Sequence, residues 1–167
     1  MTQIGHIVIG LIVVVAAIYL IIFVSQRLTA RKVAKLLRKK EKLAEIPMRD
    51  RLVKGRQLSL TGQSLKQFQL LEGKYGHLET TGFKDIEEQA NAVLFESQGL
   101  NFVKTAQELK ELQQQIRDAE TTIEVVKQGL ADLEKLDEAH KAAVKELEGK
   151  YQELRKTLLS QNFSFGP

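Results

Sequence analysis

The chain has 167 residues, of which 43% are hydrophobic and 28% charged, with two Pro, no Trp, no Cys and a formal charge of +4 at pH 7. That is enough apolar material for one modest core, and the missing Cys excludes a thiol nucleophile. The residues are unevenly distributed, so each segment carries its own signal.

From Met1 to Gln26 there is no Lys, Arg, Asp or Glu, and Ile4 to Val24 is an almost unbroken run of Ile, Val, Leu, Ala, Tyr and Phe. Those 21 residues, at about 1.5 Å each, span about 31 Å and match a hydrocarbon core of about 30 Å. A cleaved signal peptide is disfavoured, because no basic residue precedes the run and no small-x-small site closes it. His6 reads as an interfacial residue, and Gly5 and Gly10 are not at the four-residue spacing that brings helices together. The stretch predicts an uncleaved transmembrane anchor.

Directly after it come Arg27, Arg31, Lys32, Lys35, Arg38, Lys39, Lys40 and Lys42, followed by Arg49, Arg51, Lys54 and Arg56. Against these twelve basic residues stand only Glu41, Glu45 and Asp50, a local net of +9, so the remainder carries −5. Basic residues mark the cytoplasmic flank of a span, which places the N-terminus outside and the bulk of the chain in the cytoplasm. The cluster reads as a topology and lipid-facing determinant; nucleic acid is disfavoured, because no aromatic residue interleaves the charges.

Pro47 predicts an end to the first helix near Glu45 and Ile46. A short helix is expected from about Met48 to Ser59, then a corner at Thr61-Gly62, with Thr61 or Ser64 capping the next helix. That helix should run from about Ser64 to Leu78 with Leu65, Phe68, Leu71 and Tyr75 on one stripe. A second corner is expected at Thr80-Thr81-Gly82, a helix from Phe83 to about Ser97 with Ile86, Ala90, Val93 and Leu94 apolar, and a break at Gly99.

The last element is a long helix. Phe102 and Ala106 open a seam that continues through Leu109, Leu112, Ile116, Ala119, Ile123, Val126, Leu130 and Leu133, and then through Val144, Leu147, Tyr151, Leu154 and Leu158. Steps of three and four alternate almost everywhere along it for about eight heptads, equivalent to a helix of about 85 Å. Asp137 and His140 occupy seam positions, and the stretch between Leu130 and Val144 lacks Gly, Pro and Asn, so it reads as one helix with a polar layer rather than a hidden hairpin. No Cys or second His lies near His140 in sequence, His77 beside a corner reads the same way, and no cofactor is implied. Nucleotide, metal and nucleophile motifs are missing from the chain, and the carboxylates between seam positions read as a solvated face, which argues against an enzyme.

Four blocks carry a resemblance. L-x-L-T-G-Q-S-x-x-x-F at Leu58 to Phe68, F-x-D-I-E at Phe83 to Glu87, N-F-V-K-T-A at Asn101 to Ala106, and Y-x-E-L-R-K-T-L-L-S-x-x-x-S-F-G-P at Tyr151 to Pro167 follow the anchor and basic helix in order. Together they resemble the N-terminal region of the EzrA family, the septation ring formation regulators of low-GC Gram-positive bacteria. The chain departs from that pattern in lacking a Trp after the T-G-Q block, where Leu70-Leu71 and Tyr75 stand, and in having Asn101-Phe102 where an Arg-Phe pair is common.

The resemblance implies an all-α fold: a single N-terminal transmembrane helix followed by a spectrin-like, elongated antiparallel helical or coiled-coil rod. The corresponding organisation is residues 1–3 outside, 4–24 in the membrane, 25–57 as a basic juxtamembrane helix and 58–167 as a first helical repeat, with Phe165-Gly166-Pro167 internal to a longer chain. The implied partners are the tubulin-like protein FtsZ and other division-ring proteins, besides membrane lipid and a possible second copy, and the implied location is the cell membrane at the septum. A second reading stays open, a membrane-tethered coiled coil such as the b-type stalk of a rotary ATP synthase. Its continuous helix and eleven-residue repeat fit poorly with Pro47, Gly62, Gly82 and Gly99.

Overall fold

The computed structural model describes residues 2–164, and every element in them is helical. Helix α1 runs Thr2–Glu45, α2 Met48–Arg56, α3 Gln63–His77, α4 Phe83–Ser97 and α5 Phe102–Ser164, with a π-helical turn Leu78–Gly82 joining α3 to α4. The helices fall into two compact units that share α3 and α5: residues 2–47 with Lys74–Glu124, and Met48–Gly73 with residues 125–164.

In the first unit the C-terminal part of α1 packs on α4, and α4 folds back against α5. Val33 from α1, Ile86, Ala90 and Val93 from α4, and Leu112 and Ile116 from α5 are buried. Each buried aliphatic side chain of this kind contributes about 1.5–3 kcal/mol relative to exposure. The hairpin tip is Gln98 to Asn101: the Gly99 N–H bonds to the Glu96 carbonyl at 3.0 Å, closing α4. The Asn101 side-chain oxygen accepts the Lys104 N–H at 3.1 Å, capping the free donors that open α5. The antiparallel register is set by Lys104 with Glu96 at 3.5 Å and by the Gln89 amide, which donates to the Glu108 carbonyl at 3.0 Å.

The corner expected at Thr80-Thr81-Gly82 does not form. His77, Gly82 and Phe83 all have right-handed helical dihedrals, so the backbone passes from α3 into α4 through one widened turn. The Thr80 hydroxyl donates to the Gly76 carbonyl at 2.7 Å, the back-bonding that lets Thr remain within a helix. Gly82 serves space rather than a reversal, because a Cβ there would lie 2.7 Å from Leu78 Cδ1.

In the second unit α2 and the first part of α3 pack with α5 around Met48, Leu52, Phe68, Val126, Leu130 and Leu133, none more than 3% exposed. α2 ends at Arg56, three residues before the expected end, and the chain turns through Leu58 to Gly62. Gly62 has φ +60°, a conformation that Gly adopts without the Cβ clash, so the corner read from Thr61-Gly62 is present. Arg56 grips Glu72 with two nitrogens, Nε at 2.7 Å and Nη2 at 2.5 Å, tying α2 to α3. At the seam position after Leu133 sits Asp137, 4% exposed, where an unmatched buried oxygen costs about 1–3 kcal/mol.

Candidate functional site: the anchor, the basic helix and the α5 seam

Two surfaces left uncovered by the described residues stand out, one on α1 and one on α5. On α1 the apolar window is 0% buried by the rest of the chain; Ile4 is 67% exposed and Tyr19 71%. This helix is apolar on every side, is covered by none of the described residues, and is long and apolar enough to cross a membrane. The helix does not break where the charges begin. It runs on to Glu45, so the apolar stretch and the packed end belong to one continuous helix.

The basic residues divide by face. Val33, Leu36, Leu37, Lys40 and Leu43 form the covered or half-covered side, while Arg27, Arg31, Lys32, Lys35, Arg38, Lys39 and Lys42 are exposed. Lys40 differs from the other seven: its ammonium pairs with Glu87 of α4 and lies 5.9 Å from the centre of the Phe83 ring. It holds α1 to α4. Arg27 covers the Phe23 ring at 5.8 Å, at the point where the apolar run gives way to charge. Along a rise of about 1.5 Å per residue, Arg27, Arg31 and Lys32 follow Val24 by about 5 to 12 Å and Lys42 by about 27 Å. With a Debye length of about 8 Å in physiological salt, the charges near Arg27 stand closest to the end of the apolar run and those near Lys42 are screened from it.

On α5 the seam has two halves. Leu109 is half-buried, and Leu112, Ile116, Ile123, Val126, Leu130 and Leu133 are covered by the chain's own helices. Beyond the polar layer, Val144 is 41%, Leu147 67% and Leu154 59% exposed, and Phe102 and Ala106 at the other end are exposed as well. The covered length follows from counting. Leu71 faces Gly129 and Thr61 lies across from Asp137; cover runs out where α3 begins.

Sequence reasoning missed the tie between Lys40 and Glu87 and the meeting of Thr61 and Ser64 with Asp137 and His140. The first leaves no local signal, since 47 residues separate the partners. The second was accessible by counting equal lengths back from the Gly99 tip. The hairpin at Gly99 and the corner at Gly62 also exclude an unbroken stalk helix.

The sequence profile of the family described as septation ring formation regulator, EzrA, matches residues 7–167. Among curated proteins, the chain is 35% identical over 159 residues to the septation ring formation regulator EzrA of Lactiplantibacillus plantarum, covering 95% of this chain and 28% of that protein. It is 26% identical over 152 residues to that of Enterococcus faecalis, covering 91% of this chain and 26% of the relative. Against that of Streptococcus pneumoniae serotype 4 it is 25% identical over 168 residues, covering 98% and 28%. The chain thus spans little more than a quarter of the length of these relatives. No solved structure matches it significantly. A matched stretch that takes in the apolar helix, the Gly62 corner and the α4–α5 hairpin leaves one assignment: the chain belongs to the EzrA family of septation ring formation regulators.

Proposed function

We propose that this chain is the membrane-anchored portion of a cell-division regulator that modulates assembly and placement of the FtsZ ring. Residues 4–24 act as the span, 25–57 as the basic juxtamembrane segment and 58–167 as the first helical repeat. The N-terminus lies outside and the helical units in the cytoplasm, at the septum. The observation that carries this reading is the unbroken α1, which joins a fully exposed apolar span to an end packed on α4 through Val33 and Lys40. Family membership supplies the division-ring context.

The mechanism is geometric rather than catalytic. A stiff helix leaving the bilayer holds the cytoplasmic helices at a set distance from it, and tethering raises the effective concentration of anything they bind there. Arg27, Arg31 and Lys32 fix the orientation and bind anionic lipid, each contributing about 1 kcal/mol. FtsZ held in this layer is brought to the membrane or spaced from its neighbours.

The test exchanges Ile4–Val24 for a soluble tag of equal expression in cells that depend on the regulator. Loss of septal localisation and of ring control is the expected result. Unchanged localisation and ring placement would overturn the tether.

A further inference from the structure

The hairpin between α4 and α5 ends on apolar side chains. Phe95 is 76% exposed, Leu100 72%, Phe102 49% and Val103 70%, all at a turn of the kind that water-facing chains fill with polar residues. Single apolar residues scattered over a surface need no explanation, whereas a cluster marks a contact. The only charge from Phe95 to Val103 is Glu96, and Lys104 pairs with it at 3.5 Å. The tip therefore presents apolar surface without an unpaired acid.

The register of α4 on α1 says where this tip lies. α1, α4 and the first part of α5 belong to one compact unit. Lys40 meets the first turn of α4, through Glu87 and the Phe83 ring, and α1 packs along α4. Val33, two turns before Lys40, is 1% exposed; α4 can cover it only by running against α1. Gly99 lies 16 residues beyond Phe83 and 12 beyond Glu87, or about 24 and 18 Å, and Val24 lies 16 residues back from Lys40, about 24 Å. The tip thus stops within about 6 Å of the level of Val24, where the apolar run ends.

Burial on α1 agrees with this count. Its covered stripe continues from Lys40 through Leu37 and Val33 to Thr29, Gln26 and Ser25, all three half-buried, while Arg27 and Leu28 beside them are exposed. Cover reaches the residue next to Val24. The polar layer of a bilayer is about 5–7 Å deep on each side of its hydrocarbon core. On the reading that residues 4–24 span a membrane, on which this inference rests, the tip lies in that layer. A folded protein reaching the tip has to displace headgroups, whereas lipid is already in place.

We propose that the α4–α5 tip is a second membrane contact. Leu100, Phe102 and Val103 enter the interface of the bilayer that α1 crosses, and Phe95 rests on its surface. Apolar groups seated this way leave water without crossing the hydrocarbon core. Two contacts on one unit set the tilt of its helices against the membrane, which a single span leaves free to swivel.

The test puts a fluorescent NBD label on single cysteines in the full chain, which has no Cys of its own, in nanodiscs of phosphatidylcholine and phosphatidylglycerol. Gln98→Cys places the label at the tip, Glu120→Cys about 27 Å along α5 from Phe102, and Val14→Cys within the apolar run. Lipid carrying a doxyl quencher near its headgroup should remove about half or more of the Gln98 signal and leave that of Glu120 unchanged. Leu100→Gln with Val103→Gln, both at exposed positions, should restore the Gln98 signal with the circular dichroism spectrum unchanged. Quenching of the Val14 label by doxyl deep in the acyl chains, with none at Gln98, would overturn the proposal and leave the span intact. Quenching at neither site would remove both. A Gln98 label shielded from iodide in water, yet not quenched by lipid, would put protein against the tip and also overturn the proposal.

Discussion

Leu71 of α3 rests directly on Gly129 of α5: a Cβ at Gly129 would lie 2.6 Å from Leu71 Cδ1 and 2.9 Å from Cδ2. Gly in a helix interior costs about 1 kcal/mol relative to Ala, so its presence in the long helix needs this contact as its reason. Gly129→Val should destabilise the chain by about 1–3 kcal/mol through overpacking against a side chain that is itself buried. Gly73→Ala, with nothing within 4 Å of its Cβ, should stabilise by about 0.5–1 kcal/mol. Thermal unfolding followed by circular dichroism reads both, and equal signs for the two would contradict this register.

The two halves of the seam should differ in energy. Leu130 is 1% exposed and Leu154 59%. Leu130→Ala should cost about 2–5 kcal/mol, whereas Leu154→Ala should change stability by less than about 0.5 kcal/mol. Urea unfolding of the full chain in nanodiscs distinguishes them. Comparable losses would mean that the chain covers its own distal seam.

The Arg56 pair should leave a pH signature. The hydrogen bonds from Arg56, reinforced by its charge, hold the Glu72 carboxyl below its ordinary value against a smaller opposing effect of burial. A carboxylate depressed in the folded state stabilises it above the unfolded value, about 4.3 for Glu, and that stabilisation is lost as pH falls through the folded value. Arg56→Gln should therefore lower stability at neutral pH and converge with the parent chain in acid. Parallel profiles down to the acid limit would remove the pair from the stability of α2 on α3.

Topology can be read with single cysteines, since the chain has none of its own. Thr2→Cys should react with a membrane-impermeant maleimide on intact cells, and Gly149→Cys only after permeabilisation. Changing Arg27, Arg31 and Lys32 together to Glu should increase the fraction of inverted or uninserted chains, because charges within about 15–20 residues of the span set orientation. Labelling of Gly149→Cys in intact wild-type cells would place the helical units outside.

Most of the helices were legible because their signals are local. The apolar run, the stop at Pro47, the heptads and the Gly62 corner each follow from side-chain period or backbone preference within a few residues. The misreading at Thr80-Thr81-Gly82 came from the same locality. Gly reads as a stop, yet Gly82 is there to receive Leu78, and only packing distinguishes the two uses.

What the sequence by itself determined is the all-helical class, the uncharged segment long and apolar enough to cross a membrane, and the period of the α5 stripe. Those depend on composition and spacing along one chain. Tertiary structure alone decided that Lys40 turns inward to Glu87 while its basic neighbours stay exposed, that the stripe is covered as far as Leu133 and bare from Val144, and that Asp137 is enclosed beside Thr61 and Ser64. The physical reason is that burial is a property of what arrives from elsewhere in the chain. A heptad specifies a face that must be covered, and the lengths of the returning helices decide how much of it is.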